Sequence, residues 1–127
     1  MANYLVDTSI LIDVLRNHSA ARKWIDKHNV GELAISFVTA AELSIGCRNK
    51  REQLAVAKDL TDYSLLWASD AVQQQSLLWL QQFRLSHGIG FLDCLIAATA
   101  VANGLSLATI NDKHFSIIPG LVVMRPY

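Results

Sequence analysis

Short apolar segments alternate with helical segments along the chain, and this alternation limits the fold more than any other feature of the sequence. Residues 4–6 form a short apolar run, and Ile10, Leu11, Val14 and Leu15 then recur at helical spacing. We predict strands at residues 4–6, 33–35, 64–67, 105–108 and 121–123, the last one at an edge of the sheet. We predict helices at residues 10–15, 20–28, 39–46 or 47, 51–62, 69–87, 93–103 and 111–115. This order is typical of a three-layer α/β/α fold with a mostly parallel central sheet.

The composition and the absence of linker sequences indicate a single domain over residues 1–127. The chain is 52% hydrophobic and 17% charged, which excludes a disordered segment, because such segments lack the apolar surface that offsets chain entropy. No repeat or Ser/Gly-rich linker marks a domain boundary. No apolar window reaches the roughly 20 residues that a membrane span requires. Cys47 and Cys94 have neither disulfide nor zinc-ligand spacing, so the reducing cytoplasm is the expected location.

The formal net charge is zero, from eleven Lys and Arg against eleven Asp and Glu. This balance argues against a nucleic-acid binder of the strongly basic class. The basic residues are unevenly distributed, however, and eight of them lie in the first 60 residues. A bound cation that neutralised a cluster of acids would leave the remaining surface net positive.

Several acidic residues lie where a predicted strand gives way to a helix, and each has a structural explanation. Asp7 follows the first strand and would serve as a helix N-cap. Thr39 and Glu42 have the spacing of a capping box. Asp93 opens an apolar helix, where the macrodipole favours a negative charge, and Asp112 opens the short helix after the strand at residues 105–108.

The shared position of these acids favours a catalytic role instead. In an open α/β sheet the carboxyl ends of the strands share one edge, and ligands bind there. Asp7, Glu42, Asp93 and Asp112 could therefore meet in one pocket. Carboxylates that lie close together stay ionised only when a cation neutralises them. A set of oxygen ligands suits Mg²⁺ or Mn²⁺, and such a site performs phosphoryl transfer or hydrolysis.

At these residues the sequence resembles the PIN-domain family, and within it the VapC-type toxin ribonucleases. The resemblance spans essentially the whole chain. It rests on four short motifs in order, which are LVDTSILI at residues 5–12, TAAEL at 39–43, GFLDCLIAA at 90–98 and ATINDKHF at 108–115.

This resemblance implies a PIN-like fold and a metal-dependent endoribonuclease. Asp7, Glu42, Asp93 and a fourth residue would hold Mg²⁺ or Mn²⁺. The family pattern leaves two choices for the fourth residue, Asp112 and its neighbour Asn111, and we choose Asp112 because it is an acid.

Two hydroxyls after the first strand belong to the same expectation. Thr8 or Ser9 would contact the waters of the metal or a phosphate, and an N-terminal ST-turn is the alternative explanation. In the implied reaction, water attacks phosphorus in line and the 3′ oxygen leaves. The resemblance further implies an RNA substrate, a homodimer and a cognate VapB-like antitoxin that inserts a peptide into the active-site groove.

Two other functions compete with this reading. The first is a small Mg²⁺-dependent phosphatase, although such enzymes need a second Asp where this chain has Ser9. The second is a non-catalytic PIN-like binding module in which the acids only cap helices. Among the remaining residues, His114 is expected to be solvated or packed rather than a general acid, and Trp67 and Trp79 are expected in the core or on a dimer face.

Overall fold

This computed structural model describes residues 2–127, which form five strands and seven helices. The strands are β1 Tyr4–Val6, β2 Leu33–Ser36, β3 Ser64–Leu66, β4 Ser106–Ala108 and β5 Val123–Met124. The helices are α1 Thr8–Leu15, α2 Ser19–Asp26, α3 Phe37–Ile45, α4 Lys50–Leu60, α5 Asp70–His87, α6 Phe91–Ala102 and α7 Asp112–Phe115.

The five strands form one sheet in the order β3-β2-β1-β4-β5, and every neighbouring pair is parallel. Leu5 of β1 is in register with Ala34 of β2 and with Leu107 of β4. The central strand β1 therefore ends between the ends of β2 and β4. β5 lies at the edge of the sheet, as the sequence predicted, but spans residues 123–124 rather than 121–123.

Helices cover both faces of the sheet, which confirms the three-layer α/β/α architecture. Successive strand residues point to opposite faces, so the neighbours Leu5 and Val6 belong to two different apolar clusters. The cluster around Leu5 contains the buried face of α6 together with Trp79 of α5. The cluster around Val6 contains buried residues of α1, α2 and α4. Burial of these two faces stabilises the sheet from both sides.

Three helices begin two residues earlier than the sequence predicted, and the first of them is α1, which begins at Thr8. α3 begins at Phe37, and the Ser36 hydroxyl caps it by accepting the amide of Val38 at 3.0 Å. Thr39 is therefore inside the helix and fully buried, so the predicted capping box is wrong. Val38 packs into the core, and this burial favours a helix that already includes it.

The third early start is in α6, which begins at Phe91 after the N-cap Gly90. Asp93 is therefore the third residue of this helix rather than its first. It still lies in the first turn, where the helix dipole favours a carboxylate. Between residues 2 and 127, no helix combines the length and the apolar character that crossing a bilayer requires.

Candidate active site

The carboxyl edge of the sheet carries the elements that hold the predicted acidic residues. Asp7 directly follows β1, and its amide extends the ladder by donating to the carbonyl of Ala108 at 2.9 Å. Glu42 lies in α3, which follows β2, and Asp112 begins α7 after β4. Asp93 is in the first turn of α6.

Asp7 is oriented by two hydroxyls rather than by a helix. Its side chain is almost fully buried, and Oδ2 accepts hydrogen bonds from Ser9 Oγ at 2.7 Å and from Thr109 Oγ1 at 2.8 Å. Asp7 stands at the N-cap position of α1, yet its carboxylate caps no helix amide. Helix capping therefore does not explain this residue.

The second oxygen of Asp7 is left open. Oδ1 accepts no hydrogen bond from residues 2–127. In the same part of the chain, no fully buried side-chain oxygen or nitrogen lacks a partner. Oδ1 must therefore reach solvent, where a ligand can meet it.

Glu42 is held through a pair of buried threonines. The Thr8 hydroxyl lies 2.9 Å from Glu42 Oε1 and 2.9 Å from the Thr39 hydroxyl. Thr8 and Thr39 are buried, whereas Glu42 is partly exposed. As with Asp7, one carboxylate oxygen has a side-chain partner, and Oε2 has none among the described residues. The sequence predicted a supporting role for Thr8 but assigned Thr39 to a cap.

Asp93 is held by a histidine that the sequence did not predict to take part. Nε2 of His114 lies 2.9 Å from Asp93 Oδ2, and each side chain is 37% exposed. His114 belongs to α7, so the contact joins two helices across 21 residues of sequence. No local sequence pattern predicts such a contact, because it forms only when α7 lies beside the first turn of α6 at the edge of the sheet.

Asp112 has a different environment from the other three acids. Its Oδ1 lies 3.3 Å from Nη1 of Arg125, and both side chains are at least 38% exposed. The same guanidinium nitrogen donates to the carbonyl of Ile110 at 3.1 Å. Asn111 is also exposed, and its backbone N–H donates to Thr109 Oγ1 at 3.0 Å. A fixed positive charge therefore already accompanies Asp112.

All four predicted acids thus share one arrangement, in which one oxygen is held by a side chain and the other has no partner among residues 2–127. Asp7, Glu42 and Asp93 are held by hydroxyls or by a histidine, whereas Asp112 is held by the guanidinium of Arg125. Within those residues, no three His, Cys, Asp or Glu side chains lie close enough to ligate a common metal ion. Mg²⁺ usually keeps several waters and takes one or two carboxylates directly, so the oxygen donors present fit that ion.

Cys94 adjoins Asp93 but does not extend this set of ligands. It is fully buried in α6. Burial, and to a smaller extent the negative charge of Asp93, raise the pKa of its thiol to about 11. Cys94 therefore remains a neutral thiol near pH 7, which is a poor metal ligand.

A groove of about 700 Å³ begins at Thr8 and Glu42 and runs between α1, α3 and α4. Its lining is mixed, with apolar side chains such as Ile12 beside the cations Arg16 and Arg48. Arg48 pairs with Glu52 at 2.8 Å. The groove therefore offers an extended ligand apolar contacts and the guanidinium of Arg16 next to Glu42, whereas the charge of Arg48 is matched by Glu52.

Comparisons with known proteins show the family of this chain. The model of the PIN domain matches residues 4–121. Ribonuclease VapC10 of Mycobacterium tuberculosis is 39% identical over 119 residues, which are 92% of this chain and 89% of that protein. The tRNA(fMet)-specific endonuclease VapC of Shigella flexneri is 29% identical, with coverage of 95% and 96%. The toxin–antitoxin complex from Klebsiella pneumoniae superimposes with a TM-score of 0.82 at 28% identity, over 98% of both chains. The chain belongs to the PIN-domain family, within its group of VapC ribonucleases.

Proposed function

We propose that this protein is a Mg²⁺- or Mn²⁺-dependent endoribonuclease, the toxin of a type II toxin–antitoxin pair. The observation that carries the proposal is the arrangement of Asp7, Glu42 and Asp93, each with one oxygen held and one oxygen open at the carboxyl edge of the sheet. Residues 1–127 would act as one PIN-like domain, and the site of action would be the cytoplasm.

Some side chains would hold the ion, and others would fix the orientation of the carboxylates. Asp7, Glu42, Asp93 and Asp112 would be the metal-site residues, with Thr8, Ser9 and Asn111 in support. The ion, when bound, would polarise the scissile phosphate and make a water molecule more acidic. Ser9 keeps Asp7 in one orientation by a 2.7 Å hydrogen bond, which lowers the entropy lost when a ligand binds.

The proposed partners follow from the relatives. The ribonuclease names of the curated relatives support an RNA substrate, and the Klebsiella pneumoniae structure supports a VapB-like antitoxin. The groove beside Thr8 and Glu42 would receive a peptide of that antitoxin. A homodimer is part of the same proposal.

RNA cleavage by the purified chain tests the proposed activity. We expect cleavage with Mg²⁺ or Mn²⁺ and none in excess chelator. Asp7→Asn and Asp93→Asn should each lower the rate by about 100-fold or more, as expected for loss of a group that acts on transition-state charge. Asp112→Asn should have a smaller effect, because Arg125 already shares the charge of that carboxylate.

Asp62→Asn is the matched control, since Asp62 is exposed and outside the site. It should cleave RNA at the wild-type rate. Full activity of both the Asp7 and the Asp93 variants, or full activity in chelator, would contradict the proposal. Circular dichroism on each variant separates lost chemistry from lost folding.

A further inference from the structure

We propose that His114 is the positioning residue of Asp93, and that its Nε2–H holds Oδ2 so that Oδ1 faces the bound cation. This inference rests on the proposed metal-dependent function. The contact that carries it is the 2.9 Å distance between His114 Nε2 and Asp93 Oδ2. Since a carboxylate only accepts, the imidazole must carry its proton on Nε2 to make this bond.

The other two carboxylates show what such a contact does. Asp7 is oriented by Ser9 and Thr109, and Glu42 is oriented by Thr8. Asp93 has no hydroxyl partner among the described residues, and the imidazole of His114 takes that place. Hydrogen bonds to ligating carboxylates fix their direction and raise metal affinity.

The backbone around His114 is anchored on both sides, so the imidazole is held in place rather than free to move. The next residue, Phe115, is 1% exposed and belongs to the core, and its ring meets the His114 ring edge to face at 5.6 Å. On the other side, the His114 amide donates to the carbonyl of Asn111 at 3.0 Å.

The same short turn connects Asp93 to Asp7. The amide of Asn111 donates to the Thr109 hydroxyl, and that hydroxyl donates to Asp7. Together with the hydrogen bond from the His114 amide to the Asn111 carbonyl, these bonds link the partner of one carboxylate to the partner of the other. Such a link fixes the orientation of both carboxylates before any ligand binds, which a preorganised site needs.

An ordinary surface ion pair is the competing explanation. Each side chain is 37% exposed, and exposed pairs contribute little to stability. A surface pair would leave metal affinity unchanged when it is removed. Mn²⁺ affinity therefore separates the two explanations, whereas stability alone does not.

The test measures the dissociation constant of Mn²⁺ by isothermal titration calorimetry for the wild-type chain and three variants. His114→Leu removes the donor and should weaken binding by about 10- to 100-fold. His114→Gln keeps an N–H near the position of Nε2 and should bind Mn²⁺ nearly as well as the wild type. His87→Leu makes the same change at an exposed histidine at the end of α5 and should leave the affinity unchanged.

Urea unfolding of each variant checks that α7 keeps its place. Wild-type affinity in His114→Leu would overturn the inference, and so would equal losses in the Leu and Gln variants. A wild-type chain whose Mn²⁺ affinity depends on His114 but that cleaves no RNA would refute the proposed function and leave the positioning role intact. A wild-type chain that binds no Mn²⁺ would refute both.

Discussion

At the residue scale, the hydroxyl of Thr109, which directly follows β4, makes the contact that orients Asp7. The Thr109 side chain is fully buried, donates to Asp7 at 2.8 Å and accepts the backbone N–H of Asn111 at 3.0 Å. Thr109 lies 102 residues from Asp7 in the sequence. A threonine after an apolar strand predicts only a turn or a cap, so sequence reasoning identified the carboxylate and missed the group that orients it.

Thr109→Val tests this contact, because valine keeps the shape and removes the hydroxyl. We expect a loss of about 1–3 kcal/mol in the free energy of unfolding, since the buried carboxylate of Asp7 loses a donor and the backbone N–H of Asn111 loses its acceptor. Urea denaturation monitored by circular dichroism measures this loss in the free energy of unfolding. Thr61→Val is the control: the Thr61 hydroxyl donates to the Lys58 carbonyl at 2.6 Å on the exposed end of α4, where water can take its place, so the loss should be smaller, about 0.5 kcal/mol. Equal losses in the two variants would contradict the role assigned to Thr109.

At the scale of elements, the sequence predicted every helix and strand that the described residues form, and its errors lie at the ends of elements. α1, α3 and α6 each begin two residues early, and α2 and α4 each end two residues early. A capping box and an acidic first turn are signals that depend only on neighbouring residues. At α3, the burial of Val38 favours an earlier helix start than the capping box predicts. The end of α5 was predicted correctly at Gly88, because a left-handed residue there needs glycine.

Two alanine substitutions test the conformational role of that glycine. Gly88 has a φ of 71° and a Cβ there would meet no atom within 4 Å, so Gly88→Ala should cost about 1–2 kcal/mol from backbone strain alone. Gly46 ends α3 with an ordinary φ of −72°. Gly46→Ala should therefore be neutral or stabilise by about 0.4–1 kcal/mol, through a less flexible unfolded chain. Thermal unfolding of both variants measures the difference, and the opposite order of stabilities would refute the assignment.

On the scale of the whole molecule, the two tryptophans predicted for the core or a dimer face occupy very different places. Trp79 on α5 is 6% exposed and packs in the cluster around Leu5. Trp67 follows β3 and is 71% exposed, with its ring stacked on Phe37 at 6.0 Å. Both residues look equally apolar in sequence, and only the assembled layers separate them.

Replacing each tryptophan by alanine measures this difference. Trp79→Ala should destabilise the fold by about 3–5 kcal/mol, because it opens a cavity between the sheet and the helices. Trp67→Ala should cost about 1 kcal/mol or less, since it removes one aromatic stack at the surface. Midpoints of urea unfolding compare the two, and a larger loss for Trp67 would show that it supports the fold.

The sequence by itself determined the layered α/β fold, the parallel sheet and the acidic residues at its carboxyl edge, because periodicity and strand-to-helix order are local properties. The balance of eleven acids and eleven bases also belongs to the sequence, but where those charges meet does not. The tertiary structure decided which side chain holds each carboxylate, since the partners His114 and Thr109 reach Asp93 and Asp7 only when distant segments pack together. It also decided that Asp112 faces Arg125, a contact between segments that no sequence spacing encodes.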